Sequence, residues 1–526
     1  MKATNELFDL IKSLSPSEKR SFKIFASRHV LGEENNYVAL FEAIDHLEVY
    51  DEDYLLDKYK GKPFTENLSR SKNYLTNLIL KSLRSYHEQA NVRIELRNIL
   101  TDVDILFRKS QFELAAKLLR KARQIVEDYA LLWQLSEILD KEKNLLHAWQ
   151  PNIDKKNIGL KSNIEEQNNL VNKIKLQQDF VLFYNKMARL ADSFWNKNTD
   201  KEKIEIEKLS TSDFFTNDAL PPTPVAKLNQ LLGRVIYYTH KYDSEKAFPV
   251  VEDYHNFLVE YEYLKPVYPL LYLVHFRNCI FSLIRFKKYE QAVESIKKLR
   301  TLVTEVKKDL IHQSQRYILT SKINMELLYF KMTGQFDKGI ESFLQIKNSG
   351  DLATFNNHNS ALTDIYFNIS ICYFGLGNYQ HAITWLKYMS NTLGDDLSKS
   401  QFLSVKLLHI LCQYEANEFD DLEYLIRNTL SALKKYENTF EGEISMASFI
   451  NKLVLDRKKQ NHKKYFVEQK EKLLEILKDS SEKNLLIKFD YLSWLESKIE
   501  NKPFPEVIKE KELGKSTLFP KLEISA

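Results

Sequence analysis

The 526-residue chain is 44% hydrophobic and 12% aromatic, enough for a continuous core, which excludes disorder as its main state. Only 12 Gly and 12 Pro occur, and long stretches of Leu, Lys, Glu, Asn and Ile lack strand-like alternation, so the expected fold class is all-α. The 76 basic and 72 acidic residues leave a net charge of +4, which imposes no global attraction for polyanions.

The opening MKATNELFDLIKSLSPSEKR places Asn5, Glu6 and Asp9 where a secretion signal needs an unbroken apolar core, and no later stretch reads as a membrane span. A cytoplasmic protein with no membrane partner is expected. Residues 1–92 form a first helical module. Ser15-Pro16-Ser17-Glu18 is a capping box that starts a helix through Phe22, Phe25 and Ala26, and helices follow at Tyr37–Leu47, Asp53–Tyr59 and Leu68–His87. The last is amphipathic through Leu75, Leu78, Ile79 and Leu83. Short helices before a long one also fit a helix-turn-helix or winged-helix module, whose last helix would offer Arg70, Lys72, Lys81 and Arg84 to DNA. Residues 33–57 hold nine acids and no base, whereas residues 58–97 hold nine bases and three acids. Two halves of one bundle facing each other account for this segregation without any ligand.

Residues 93–220 read as helical hairpins. ILTDVDILFRKSQFELAAKLLRKA sets Ile99, Val103 and Leu106 on one helix and Phe112, Ala115, Leu119 and Ala122 on the next. Two long helices follow, Leu131–Trp149 and a second from a capping box at Ser162 and Glu165 to Trp195, expected to form an antiparallel hairpin. Pro221, Pro222 and Pro224 then interrupt any helix and mark an internal boundary.

Residues 221–440 repeat the helix-pair pattern. Phe276, Cys279, Ile280 and Leu283 are followed by Tyr289, Ala292, Ile296 and Leu299. Ile323, Leu327 and Phe330 are followed by Gly334, Phe336, Gly339, Phe343 and Ile346, with Glu326 where an apolar residue is usual. YFNISICYFGLGNYQHAITWLKYM gives Tyr366, Ile369, Ser370 and Tyr373, then Gly375 and Gly377, then Tyr379, Ala382, Leu386 and Met389. Leu407, Leu411, Tyr414, Phe419, Leu422 and Ile426 follow, and a displaced copy stands at Leu232, Gly233, Ile236, Tyr242 and Ala247. Large and small residues at these places resemble the tetratricopeptide repeat (TPR). The aromatic turn residues Tyr242, Tyr289, Phe336, Tyr379 and Phe419 are separated by 47, 47, 43 and 40 residues, the differences between their positions, against the usual period of about 34. The resemblance therefore implies a degenerate TPR-like α-solenoid of antiparallel helix pairs.

Residues 441–526, with helices at Phe466–Lys478 and Leu485–Ile499 before the tail FPKLEISA, suit a C-terminal helical cap. The basic run Arg457-Lys458-Lys459, His462-Lys463-Lys464 reads as a solvated loop.

Catalytic patterns are scarce. Neither GxGxxG, GxxxxGK[ST], GxSxG nor HExxH occurs, so no cofactor or metal is called for and no enzyme is expected. Adjacent acids such as Asp420-Asp421 and Glu165-Glu166 point about 100° apart on a helix and read as solvated faces. Cys279, Cys372 and Cys412 read as reduced core residues.

The TPR resemblance implies that first helices line a concave face. It places Arg277, Phe281 and Arg285, then Asn324, Leu328 and Lys331, then Phe367, Ile371 and Phe374 in the groove, an apolar stripe with a basic edge that suits an amphipathic helix with acidic flanks. Tight curvature burying the stripe as core is the alternative. The Lys-Asn clamp for a peptide C-terminus is not reproduced. The expected function is a non-catalytic, cytoplasmic protein- or peptide-binding scaffold or adaptor. The second expectation is a transcriptional regulator with an N-terminal helix-turn-helix-like DNA-binding module and a TPR-like sensor domain.

Overall fold

The computed structural model of the chain describes residues 5–27, 36–87, 92–149, 153–191, 197–241, 243–306, 312–348, 360–394, 397–456 and 462–513. Helix accounts for 84% of it, and no strand occurs among the described residues, so the protein is all-α. The chain divides into two compact units, residues 1–167 and 168–526. Trp195, the Tyr242 turn position, the basic run at 457–459 and the FPKLEISA tail lie outside the described residues.

In the first unit the elements are α1 (Glu6–Ser13), α2 (Pro16–Ser27), α3 (Asn36–Asp45), α4 (Glu52–Lys58), α5 (Pro63–Glu66), α6 (Leu68–Tyr86), α7 (Val92–Arg108), α8 (Phe112–Asp128), α9 (Leu132–Trp149) and the start of α10 (Ile153–Ala191). The Ser15 capping box forms, with the Ser15 amide donating to Glu18 Oε2 at 2.7 Å and the Glu18 amide donating to Ser15 Oγ at 3.3 Å. Helices α1 to α6 share a core that includes Leu7, Ile11, Phe22, Phe41, Ile44, Leu75 and Ile79. Of the segregated charges, Lys72 pairs with Glu52 at 2.6 Å, while the acids Asp45 and Glu42 pair instead with Lys19 at 2.5 Å and Lys23 at 2.7 Å on α2.

Helix α10 begins at Ile153, nine residues before the expected cap, and Ser162 and Glu165 stand exposed inside it. A capping-box spacing starts a helix only where the preceding residues leave helical geometry. The hairpin itself forms. Asn163 donates to the Leu139 carbonyl at 3.0 Å, and the Arg123 guanidinium joins Glu142 and Glu166 at 2.6 and 2.7 Å.

The second unit continues through α11 (Asp200–Ser210), α12 (Asp213–Thr216), α13 (Pro224–Lys241), α14 (Ser244–Glu260), α15 (Pro269–Arg285), α16 (Tyr289–Val306), α17 (His312–Met332), α18 (Phe336–Asn348), α19 (Ser360–Gly375), α20 (Tyr379–Thr392), α21 (Lys399–Glu415), α22 (Leu422–Lys435), α23 (Glu441–Leu455), α24 (His462–Ile476), α25 (Asn484–Lys488), α26 (Tyr491–Glu500) and α27 (Phe504–Leu513). From α13 to α24 each helix packs on the next, and the odd-numbered helices α13, α15, α17 and α19 also touch in turn, as do α21 and α23.

One turn recurs. The φ angle is positive at Ser110, Lys287, Gly334, Gly377 and Asn417, each two residues before an aromatic: Phe112, Tyr289, Phe336, Tyr379 and Phe419. The next amide closes back on the preceding helix in every case, from Gln111 to Leu106, Lys288 to Leu283, Gln335 to Phe330, Asn378 to Tyr373 and Glu418 to Gln413. This is the left-handed helix ending whose amide satisfies an orphan carbonyl a turn earlier.

Packing explains the small residues. Ser370 and Ala382 are fully buried, and a Cβ added at Gly375 would stand 2.2 Å from the Phe336 ring. Glu326 is buried yet satisfied, accepting from Arg300 Nε at 2.8 Å and Ser342 Oγ at 2.5 Å. The three cysteines are free and buried, and burial pushes each thiol up.

Candidate functional site

Four of the nine residues expected to form an open stripe, Arg285, Lys331, Ile371 and Phe374, lie instead against or beside the chain's own C-terminal segment. The segment expected as one helix at Leu485–Ile499 is broken: Phe489 is extended, and Asp490 caps α26 by accepting from the Ser493 amide at 2.9 Å. Residues 480–513, the C-terminal strap, turn back along the odd-numbered helices.

Its contacts run from one helix to the next. The Arg285 guanidinium, at the end of α15, donates to Asn484 Oδ1 at 2.7 Å, and Lys331 Nζ, in α17, donates to the Ile487 carbonyl at 3.0 Å. Phe374, in α19, meets Phe489 edge-on at 5.0 Å and Phe504 at 5.8 Å between ring centres. Lys488 reaches Ser404 of α21 at 3.0 Å and Glu443 of α23 at 2.9 Å, the last an ion pair with both side chains 2% exposed. Glu415 accepts from Trp494 Nε1 at 2.7 Å and Lys498 Nζ at 2.5 Å. At the far end, the Glu512 carboxylate accepts from Tyr289 Oη at 2.9 Å and pairs with Lys287.

The nine residues of the expected groove fall into two groups. Arg285, Lys331 and Ile371 line a cavity beside the strap, and Phe374 packs on strap rings. Arg277 instead bonds Asn278 Oδ1 at 2.7 Å over the Tyr317 ring, Asn324 accepts from Asn368 at 2.8 Å, Phe281 is half-buried, and Leu328 and Phe367 belong to the core. A charge at Phe367, which is 2% exposed, would test folding rather than recognition. The missed residues are Lys287, Asn484, Ile487, Phe489, Phe504 and Glu512. Their only sequence signal was the aromatic density around Phe489–Trp494, which was absorbed into a helix.

The cavity has a volume of about 640 Å³, and its walls include Met332, Phe336, Ile371, Phe489, Phe504 and Ile508. Lys331 lies in its wall, 6% exposed, and its ammonium meets two neutral acceptors, the Ile487 carbonyl and Asn368 Oδ1 at 2.8 Å. Burial pulls its pKa down to about 8.

In the first unit, Arg70, Lys81 and Arg84 stand exposed on α6. Lys72 does not join them, because its ammonium is held by Glu52 and by Tyr50 Oη at 3.1 Å. Among the described residues no group of three His, Cys, Asp or Glu side chains is placed to hold a metal ion, and no helix is long and apolar enough to cross a membrane.

Compared with known proteins, the chain matches no family model and no curated sequence. The class its fold defines is all-α.

Proposed function

We propose that the protein is a non-catalytic scaffold or adaptor that holds a protein or peptide segment against the inner face of a degenerate TPR-like α-solenoid. The recurring turn and the succession of contacts between odd-numbered helices support the solenoid reading. The observation that carries the function is the strap, a segment with aromatic anchors at Phe489 and Phe504, a main-chain carbonyl on Lys331 and a carboxylate on Lys287 and Tyr289. Stacked helix pairs recognise extended or helical segments with this combination of pockets and edge charges. The strap is the built-in occupant, and a partner segment of the same chemistry takes its place. This agrees with an amphipathic partner bearing acidic flanks.

The test is affinity capture from native lysate by the full chain, with and without nuclease, beside a Phe504→Ala variant with a loosened strap. Discrete proteins that survive nuclease and increase with Phe504→Ala support the proposal. Capture that requires nucleic acid, or that ignores the strap, contradicts it.

A further inference from the structure

The cavity between the strap and helices α15 to α19 has the form of a small-molecule site. Its volume falls within the range of about 300–1,000 Å³ usual for ligand pockets, and apolar side chains with a few converging polar groups make up its wall. Five basic residues line it against two acidic ones, Asp490 and Glu512. Lys287 is neutralised by Glu512, and Lys511 by Glu496 at 2.5 Å. Lys331 differs from both, since its two hydrogen-bond acceptors are neutral and the Asp364 carboxylate acts on it only through space.

A buried ammonium has three N–H donors, and two acceptors leave the third unused. Charge taken out of water is costly unless it is paired. The lowered pKa of Lys331 is the mark of that cost and would rise again beside an anion. A lysine, as a point charge, suits one anionic oxygen rather than the bidentate fork that arginine offers. Phe504 stacks between Phe336 at 5.8 Å and Phe489 at 5.5 Å, and the three rings line the cavity with apolar surface for the body of such a ligand.

We infer that this cavity binds a small organic carboxylate with an apolar body, its anion received by Lys331 and its body laid against Phe489 and Phe504. Because Lys331 and Phe336 belong to the helix array and Phe489 and Phe504 to the strap, the bound acid joins the two and holds the strap in place. The inference is independent of whether a protein partner competes for the same face.

The experiment is thermal unfolding of the full chain with 3-phenylpropanoate as probe, 3-phenylpropanamide as its neutral counterpart and inorganic phosphate as an anion without an apolar body. The inference expects a midpoint that rises with 3-phenylpropanoate concentration, as ligand linkage requires, and stays fixed with the other two. Lys331→Met abolishes the rise. Since that variant also loses two hydrogen bonds, Leu492→Trp, which fills the cavity from its half-buried wall and leaves Lys331 in place, provides a second check and also abolishes it. No rise at about 10 mM carboxylate, an equal rise with the amide or with phosphate, or a rise retained in both variants overturns the inference.

Discussion

The Lys331 ammonium donates to the Ile487 carbonyl at 3.0 Å across 156 residues of chain, and through it helix α17 grips the main chain of the C-terminal strap. Main-chain recognition of this kind reads the path of a segment rather than its side chains. Phe489 and Phe504 add side-chain contacts, both edge-on to Phe374.

Phe504 is the keystone of the strap, stacked on Phe336 and Phe489 and edge-on to Phe374. Truncation of a buried phenylalanine costs about 3–5 kcal/mol, concentrated here where the strap is seated. In Phe504→Ala, limited proteolysis is expected to cut within residues 480–513 well before the helices of the array, with most helical circular dichroism retained. Uniform cleavage along the chain would show that strap and array unfold together.

Gly375 and Gly377 look alike in sequence and serve different needs. A methyl at Gly375 collides with the Phe336 ring at 2.2 Å, whereas one at Gly377 meets nothing within 4 Å but must hold φ at +73°. Gly375→Ala should cost about 1–3 kcal/mol by overpacking and recover when combined with Phe336→Leu. Gly377→Ala should cost about 1–2 kcal/mol, with no rescue by that change. Urea midpoints of the two single and two double variants measure this.

The Lys488–Glu443 pair fixes the strap to α21 and α23 through a fully buried charge. Burial alone pushes the Lys488 pKa down, and Glu443 opposes that shift. Glu443→Gln therefore strands an ammonium and is expected to cost about 3–5 kcal/mol, while Glu443→Leu combined with Lys488→Met restores much of the loss. Denaturant unfolding of the single and double variants gives the comparison.

Burial lowers the pKa of His240 and His409 to about 4 and that of His275 to about 3. Each folded value lies below the unfolded value of about 6.5, so the unfolded state binds the extra proton. Stability is therefore full above pH 6.5 and falls as pH decreases towards the folded values, by roughly 4 kcal/mol per pH unit at most if all three act. His409→Leu, which removes an imidazole whose Nε2 lacks a partner, should reduce the steepness between pH 6.5 and 5 by about a third. Unfolding free energies at half-unit pH intervals provide the slope.

The helix pairs were legible because their packing is local and periodic. Phe276, Cys279 and Leu283, or Ala382, Leu386 and Met389, bury the faces that their spacing implies. The strap was not legible, because its contacts join residues such as Arg285 and Asn484, 199 positions apart, at which no periodicity operates. The stripe of Ile371 and Phe374 was visible as apolar, but its cover came from a distant segment. Ser162 and Glu165 misled for a different reason: the residues before them remain helical, so the cap has no helix end to serve.

The most direct test of the central claim is the binding of a fluorescent peptide spanning residues 484–512 to the full chain and to its Phe504→Ala variant, read by anisotropy. If the inner face holds segments of this chemistry, the loosened variant binds the peptide saturably, the wild type binds it far more weakly, and Arg285→Glu added to the variant weakens binding again. A folded Phe504→Ala protein with a protease-accessible strap that leaves the peptide free would contradict it.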